Sequence, residues 1–232
     1  NTRVPARYLR KPFNLNSKKV RKATLYICGL GFYEAYINGK KIGDQVLAPT
    51  PTDYSKSVKY NRFDVTGQLL KGANAIGVIL GNGRYTSMRM PGVRHFDVPK
   101  MIAQLEVYYE DGEKRVIASD ASWKITAEGP IGTNNEFDGE EYDARKEMPG
   151  WNTYPFDDTK WLQAEVVSLP EGKLEAQLNR NMKVMDTVKP IGITESAPGV
   201  YILDMGQNMV GWLRMKIKGQ SGDTLKLRFA EL

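Results

Sequence analysis

The sequence predicts an all-β protein, a β-sandwich with jelly-roll or related topology, and three observations carry this prediction. Apolar residues recur at every second position over several segments, which is the period of a strand with one wet face. Tight-turn dipeptides separate these segments, and single glycines and prolines are scattered between them. Helical signals are scarce, and the clearest is one short turn expected within residues 64–70.

The clearest predicted strand covers residues 101–109, in which every second residue is apolar. Asp111-Gly112 follows and predicts a hairpin, because glycine accepts the positive φ that such a turn needs. Asn38-Gly39 predicts a second hairpin for the same reason. Residues 213–218 and 225–229 alternate on either side of a turn, so a third hairpin is expected near the end of the chain.

A turn-rich bridge at residues 168–172 predicts a domain boundary in the region 168–182. The expected division is a first domain of residues 1–172 and a second unit of residues 173–232, with strands resuming at 183–188. The second unit would hold about four strands, whereas a sandwich normally needs about seven. It is therefore expected to be the truncated start of a second β-sandwich, in a parent chain that continues.

Composition excludes several classes of function. The chain carries 33 basic and 27 acidic residues, and this net charge of +6 permits an anionic partner without arguing for one. The basic cluster at residues 18–22 is expected to be a solvated turn or strand edge, so no nucleic-acid partner is predicted. No apolar run approaches the roughly 18 residues of a membrane span. Cys28, the only cysteine, is expected to be a small buried hydrophobe.

Two glycine-rich loops, residues 29–31 and 81–83, lack the lysine or the following helix of phosphate-binding motifs. Both are expected to supply special backbone conformations rather than ligand loops. The second loop nevertheless leads through Asn82, Arg84 and Tyr85. Amide and guanidinium groups hydrogen-bond sugar hydroxyls, and an aromatic ring covers the apolar face of a pyranose. Sugar binding by this loop therefore stays open as an alternative.

An acidic run contains Glu136, Asp138 and Glu140, with Arg145 shortly after it, and three hypotheses compete for it. A glycosidase pair is disfavoured, because its two carboxylates must flank a cleft and not alternate on one segment. A calcium site built from carboxylate and carbonyl oxygens is the second hypothesis. A surface network with Arg145 is the favoured one.

His95 is the only histidine, which argues against a histidine-rich metal site and against a Ser-His-Asp triad. It lies in the long segment 85–99, and the length of that segment makes it a candidate flap or partner contact.

Several stretches form a combination that is more specific than any of them alone. They lie at residues 23–39, 47–49, 52–54, 63–66, 72–83, 138–145, 150–151 and 161, and they continue at 204–212, 219–222 and 227–231. Together they resemble the N-terminal β domains of bacterial α-L-rhamnosidases, glycoside hydrolase family 78. The resemblance implies a galactose-binding-like jelly roll. It covers nearly the whole chain from about Arg10.

The resemblance also implies a function for the chain. Members of this family are inverting hydrolases whose paired acidic residues lie in a later (α/α)₆ barrel, so no catalytic residue is expected here. The chain is then expected to be a non-catalytic accessory fragment that scaffolds the barrel of its parent enzyme and contributes to sugar binding. The alternative is a calcium-assisted rhamnose-binding module that acts as a lectin. A rhamnose-containing glycan and the parent's own barrel are the expected partners, and the periplasm or the extracellular space is the expected location.

The loops that match the family pattern supply the candidate site residues. The sugar-binding candidates are Asp53, Asn82, Arg84 and Tyr85, and the calcium candidates are Glu136, Asp138 and Glu140. The chain departs from many members in having Arg84 where they have an aromatic residue, and in having Thr50-Pro51 where they have Gly-Trp.

Overall fold

The computed structural model describes residues 4–86, 97–136 and 139–230, and this part of the chain is built almost wholly of strands. The contacts divide the chain into two compact units, Asn1–Val184 and Met185–Leu232. The helical elements in the described ranges are two 3₁₀ turns, Thr66–Gln68 and Ala144–Lys146, and neither could cross a membrane. The all-β prediction is confirmed, and so is the short helical turn expected within residues 64–70.

Fifteen strands are present within the described ranges. Those of the first unit are β1 (Arg7–Leu15), β2 (Val20–Leu30), β3 (Tyr33–Ile37), β4 (Lys40–Lys41), β5 (Ser57–Asp64), β6 (Gly72–Leu80), β7 (Lys100–Tyr109), β8 (Lys114–Ala118), β9 (Lys124–Thr126), β10 (Ile131–Asn135), β11 (Gly139–Tyr142), β12 (Leu162–Gln163) and β13 (Lys173–Ala176). Those of the second unit are β14 (Gly192–Ala197) and β15 (Val200–Asp204).

The first unit is a sandwich of two main sheets, with β10 and β11 forming a separate two-stranded sheet. One sheet has six strands in the order β12-β9-β1-β6-β3-β4, and the other has five in the order β13-β5-β2-β7-β8. The core between them takes alternate residues of the longer strands, such as Leu25 and Ile27 of β2 and Ile37 of β3. Trp123 closes this core, and its indole N–H donates to the Ala118 carbonyl at 2.9 Å. The predicted β-sandwich is confirmed.

A long segment, residues 144–163, covers the outer face of the six-stranded sheet. Trp151 packs edge-on against Tyr8 and Tyr36 and stacks on Trp161 at 6.3 Å between ring centroids. Gly77 of β6 lies directly beneath it, where a Cβ would stand 2.8 Å from the Trp151 ring. The segment is therefore seated on the sheet by aromatic packing over a strand position that has no side chain.

Two of the predicted hairpins are confirmed. β7 and β8 pair across the Asp111-Gly112 turn, and β3 and β4 pair across Asn38 and Gly39, which have φ angles of 51° and 81°. The strands predicted at residues 183–188, 213–218 and 225–229 are wrong, because no strand forms there. Alternation shows that a segment could bury one face, but a strand forms only where a neighbour accepts its backbone hydrogen bonds. Lys183 makes one isolated bridge to Gln45, and the described part of the chain pairs no strand with residues 213–218 or 225–229.

Residues 173–184 pack with the rest of the first unit. β13 runs parallel to β5, and the Val46 N–H donates to the Met182 carbonyl at 2.8 Å. The first unit consequently extends to Val184. The domain boundary predicted after residue 172 stays a prediction.

The attachment of β13 to β5 is expected to weaken in acid. Glu175 accepts hydrogen bonds from Lys59 Nζ at 2.9 Å and from Ser57 Oγ at 3.0 Å, and the Lys59 contact is the main reason that the pKa of Glu175 falls to about 2. A lowered carboxyl pKa means that the folded state favours the charged form. The stabilisation is therefore complete above the ordinary carboxyl pKa of about 4.5 and is lost as the pH falls toward 2.

Hydrogen-exchange protection of the Lys173 and Gln177 amides should therefore decrease between pH 4.5 and pH 2. Both amides donate across the β13–β5 pair. Glu175→Gln should lower their protection at neutral pH and remove most of the pH dependence. Glu171→Gln is the matched control, since Glu171 makes no side-chain hydrogen bond or ion pair in the described part of the chain. An unchanged acid profile in Glu175→Gln would contradict the assignment.

Candidate functional site

Most of the candidate sugar-binding residues lie at one end of the sandwich, where two glycine-containing loops meet. The Gly81 N–H donates to the Phe32 carbonyl at 2.7 Å. Gly31 has φ of +117° and Gly83 has φ of +51°, so the prediction that these glycines supply special backbone conformations is confirmed. The contact between the two loops therefore fixes the position of Gly81, from which residues 82–86 continue.

Asn82 is buried inside this end rather than exposed at it, with 3% of its surface accessible. Its amide nitrogen donates to the carbonyls of Val4 at 2.6 Å and Asn134 at 2.7 Å. Its amide oxygen accepts from Arg7 Nη1 at 3.1 Å. The side chain therefore joins the N-terminal segment, the loop and β10, and its hydrogen bonds are used within the protein.

Arg84 is the exposed member of the group, with 52% of its side chain accessible. Its guanidinium binds the Glu136 carboxylate in a bidentate manner, with Nη2 to Oε1 at 2.7 Å and Nε to Oε2 as the second contact. The Glu136 hydrogen bond is the main reason that the pKa of Arg84 is raised. The structure thus brings one sugar candidate and one calcium candidate together as an ion pair.

Tyr85 and Asp53 occupy neighbouring positions at the same end. Tyr85 is buried and packs edge-on against Tyr54, with 5.2 Å between the ring centroids. Burial raises the pKa of Tyr54 to about 12, so its phenol stays neutral. Asp53, next to Tyr54, is exposed and accepts from Ser55 Oγ at 2.6 Å. The Tyr54–Tyr85 contact is what places the Asp53 turn beside the Arg84 loop.

The acidic run separates into different environments. Asp143 accepts a bidentate hydrogen bond from Arg145, which is the main reason that its pKa falls to about 2, and this supports the surface-network hypothesis. Glu140 lies on β11, and its pKa is raised by desolvation and then by the charge of Glu34. Asp138 lies outside the described residues, as do His95 and most of the long segment 85–99.

The described carboxylates of the acidic run, Glu136 and Glu140, do not group into a calcium site. Arg84 already neutralises Glu136, and Glu140 has Glu34 and not Glu136 as its charged neighbour. Within residues 4–86, 97–136 and 139–230, no three His, Cys, Asp or Glu side chains are grouped so as to hold a metal ion. Calcium ligation that includes Asp138 stays a prediction.

Sequence reasoning missed the two residues that hold this end together, Arg7 and Asn134. Asn134 Oδ1 accepts from the Asn82 N–H at 2.8 Å, and its carbonyl accepts from the Asn82 side chain. Neither residue lies in a motif, and both are far from Asn82 along the chain. Only the pairing of β1 and β10 with their neighbours brings them there.

Replacing Asn82 with alanine is expected to lower the free energy of unfolding by about 1–3 kcal/mol, because carbonyls and a guanidinium lose their buried partner. Arg84→Ala is the matched control in the same loop. Its loss should cost under about 1 kcal/mol, since an exposed ion pair contributes little. Urea unfolding monitored by tryptophan fluorescence measures both. A larger loss for Arg84→Ala than for Asn82→Ala would contradict the structural role of Asn82.

Comparison with known proteins agrees with this architecture. Residues 18–186 match the family described as the α-L-rhamnosidase N-terminal domain, and residues 194–232 match the bacterial α-L-rhamnosidase concanavalin-like domain. An α-L-rhamnosidase of Streptomyces avermitilis is 41% identical over 231 residues, which are 98% of this chain and 22% of that protein. The chain spans about a quarter or less of the length of the curated relatives it matches.

Solved structures show the same relationship. The α-L-rhamnosidase from Dictyoglumus thermophilum is 47% identical with a TM-score of 0.82, over 88% of this chain and 22% of that one. The Streptomyces avermitilis α-L-rhamnosidase, solved in complex with L-rhamnose, is 40% identical with a TM-score of 0.84, over 88% of this chain and 20% of that one.

Proposed function

The chain belongs to the family of α-L-rhamnosidase N-terminal domains, and from this premise we propose that it is the non-catalytic accessory region of a glycosidase resembling these enzymes. In this proposal it scaffolds the (α/α)₆ barrel of its parent and contributes to sugar binding near the substrate entrance. The parent is an inverting α-L-rhamnosidase acting on a rhamnose-containing glycan, located in the periplasm or outside the cell.

The observation that carries the proposal is the position of the match. Residues 18–186 match the domain named as N-terminal in the family, residues 194–232 match its concanavalin-like domain, and the chain covers a quarter or less of each relative. The chemistry of the described acids agrees with a non-catalytic role. An inverting pair needs two carboxyl groups about 6.5–9.5 Å apart across a cleft with room for a water. Asp143 and Glu136 are each held by an arginine instead.

The catalytic half of the proposal is tested on the 232-residue chain with p-nitrophenyl α-L-rhamnopyranoside. We expect release of nitrophenol no faster than in buffer, because the described residues supply no acid and base positioned around a cleft. Turnover that scales with protein concentration would contradict the proposal.

The scaffolding half is tested by deleting residues 1–184 from the full gene product, which should reduce the soluble yield and the melting temperature of the remainder.

A second candidate function is rhamnose binding assisted by calcium. It is favoured by the grouping of an exposed arginine, an exposed aspartate and a tyrosine pair at one end of the sandwich, formed by Arg84, Asp53, Tyr54 and Tyr85. A guanidinium and a carboxylate hydrogen-bond vicinal hydroxyls. Calorimetric titration with L-rhamnose, with and without calcium, tests it. No heat at millimolar sugar in either condition would eliminate it, and heat only with calcium would support the metal-assisted form.

A further inference from the structure

The outer face of the five-stranded sheet holds a pocket that the sequence did not single out. A cavity of about 590 Å³ lies over β2 and β5 and is bounded on one side by the end of β13 and the residues that follow it, within 176–181. This volume falls within the roughly 300–1,000 Å³ of small-molecule sites. All of its lining residues belong to the first unit.

Tyrosines line the sheet side of the pocket. Tyr26 of β2 and Tyr60 of β5 meet edge to face, with 6.1 Å between the ring centroids. A second cavity of about 730 Å³ shares Tyr26 and also reaches Tyr108 of β7. Tyr26 and Tyr60 therefore lie next to each other on two strands, and their rings suit the apolar side of a pyranose, whereas Lys114 Nζ lies over the Tyr108 ring at 5.2 Å.

Side-chain amide groups form the opposite wall, and the Gln177 side chain links them by hydrogen bonds. Gln177 Oε1 accepts from the Thr50 N–H at 3.0 Å and from Asn61 Nδ2 at 3.1 Å. Gln177 Nε2 donates to Asn181 Oδ1 at 2.7 Å. In the described part of the chain, Asn181 Nδ2 makes no hydrogen bond, so an oriented donor remains at the pocket. Such pre-orientation reduces the cost of binding a hydroxylated ligand.

The charges in the pocket have one sign. Arg62 and Arg180 both line it, and within the described residues neither makes a side-chain hydrogen bond or an ion pair. No aspartate or glutamate of the described ranges lines it. By contrast, Arg10, Arg84 and Arg145 each bind a carboxylate of the chain. Guanidinium groups that hold no carboxylate by a hydrogen bond suit the carboxylate of a ligand. Arg62 interacts electrostatically with Asp64, without an ion pair between them, and Asp64 lies outside this pocket.

We propose that this pocket binds an acidic saccharide, with a hexuronate carboxylate at Arg62 and Arg180 and the sugar rings against Tyr26 and Tyr60. The two tyrosines and the amide wall fit a polyhydroxylated chain, whereas the two arginines favour a negative charge on it. The site uses different residues from the Arg84 end of the sandwich. It therefore goes beyond the accessory function proposed above and does not depend on rhamnose binding.

The ligand class is tested by calorimetric titration of the 232-residue chain with trigalacturonate and, in parallel, with galactotriose as an uncharged trisaccharide. Trigalacturonate should bind at least ~10-fold more tightly, and its affinity should fall as sodium chloride is added, because the carboxylate contacts are charge-assisted and screened by salt. The absence of trigalacturonate binding, or equal affinity for both trisaccharides, would overturn the proposal.

The location is tested with Arg62→Ala and Arg180→Ala. Each should reduce trigalacturonate affinity about 10-fold, through the loss of a hydrogen bond to a charged group, without changing the melting temperature. Arg115→Ala is the matched control, because Arg115 lies on β8 and lines neither cavity. Unchanged affinity in both Arg62→Ala and Arg180→Ala, or an equal loss in Arg115→Ala, would overturn the assignment. Amide chemical shifts must also move around Tyr26 and Asn181 rather than at residues 81–86.

Discussion

Replacing Arg10 with alanine is expected to lower the free energy of unfolding of the first unit by about 3–5 kcal/mol, the cost of breaking a buried ion pair by removing one partner. The Arg10 side chain is 1% exposed and binds the Asp158 carboxylate. Its Nε donates to the Trp151 carbonyl at 2.8 Å, and its Nη2 donates to the Thr153 carbonyl at 2.9 Å. Alanine would leave one carboxylate and two carbonyls without their donor.

The effect should appear first in the covering segment, residues 144–163, because all three acceptors of Arg10 lie in it. Arg10→Lys should be intermediate, since an ammonium keeps the charge but not the planar fork. Arg145→Ala is the control: the Arg145 side chain is 75% exposed and pairs with Asp143 at the surface, so its removal should have little effect on stability. Urea unfolding measures all three variants. Equal losses for Arg10→Ala and Arg145→Ala would contradict the role of Arg10.

Gly31→Ala is expected to cost about 3 kcal/mol or more and to disturb residues 81–86. Gly31 has φ of +117°, and a Cβ there would stand 2.1 Å from the Gly81 carbonyl oxygen. The substitution combines backbone strain with a clash against a loop backbone that has no flexible end to move aside, and each effect costs about 1–3 kcal/mol.

Gly72→Ala separates the two effects. Gly72 also has positive φ, at +78°, but a Cβ there meets nothing within 4 Å. Its substitution should therefore cost only the backbone strain, about 1–2 kcal/mol. Thermal unfolding gives the comparison, and amide chemical shifts show whether residues 81–86 move. A Gly31→Ala protein as stable as Gly72→Ala would mean that the two loops are not in the close contact described.

The strand architecture was predictable from the sequence because it depends on local rules. Alternation placed β7 correctly, and Asn38-Gly39 placed the turn between β3 and β4. The same rule failed at residues 213–218 and 225–229, where alternation is present and no strand forms. The family was also recognisable from residue combinations, and the comparisons confirm it.

The candidate site was only partly predictable. The sequence identified the loop that carries Arg84. It did not predict that Arg84 binds Glu136 or that Asn82 is buried. Each of these facts depends on a partner 52 residues away along the chain, and no local pattern encodes such a pairing. The pocket on the five-stranded sheet was missed for the same reason: Tyr26, Arg62 and Arg180 line one pocket only because β2, β5 and the segment after β13 are neighbours.

The sequence by itself therefore determined the class of fold, the turns and the family, because periodicity and turn chemistry act between residues close in the chain. Only the tertiary structure decided which polar residues are hydrogen-bonded inside the protein and which face solvent. Asn82 and Arg62 are both polar residues in or beside strands. The Asn82 side chain has three hydrogen-bonding partners, whereas the Arg62 side chain makes no hydrogen bond or ion pair within the described residues. Burial and pairing arise from contacts between distant segments, and those contacts exist only once the sheets have formed.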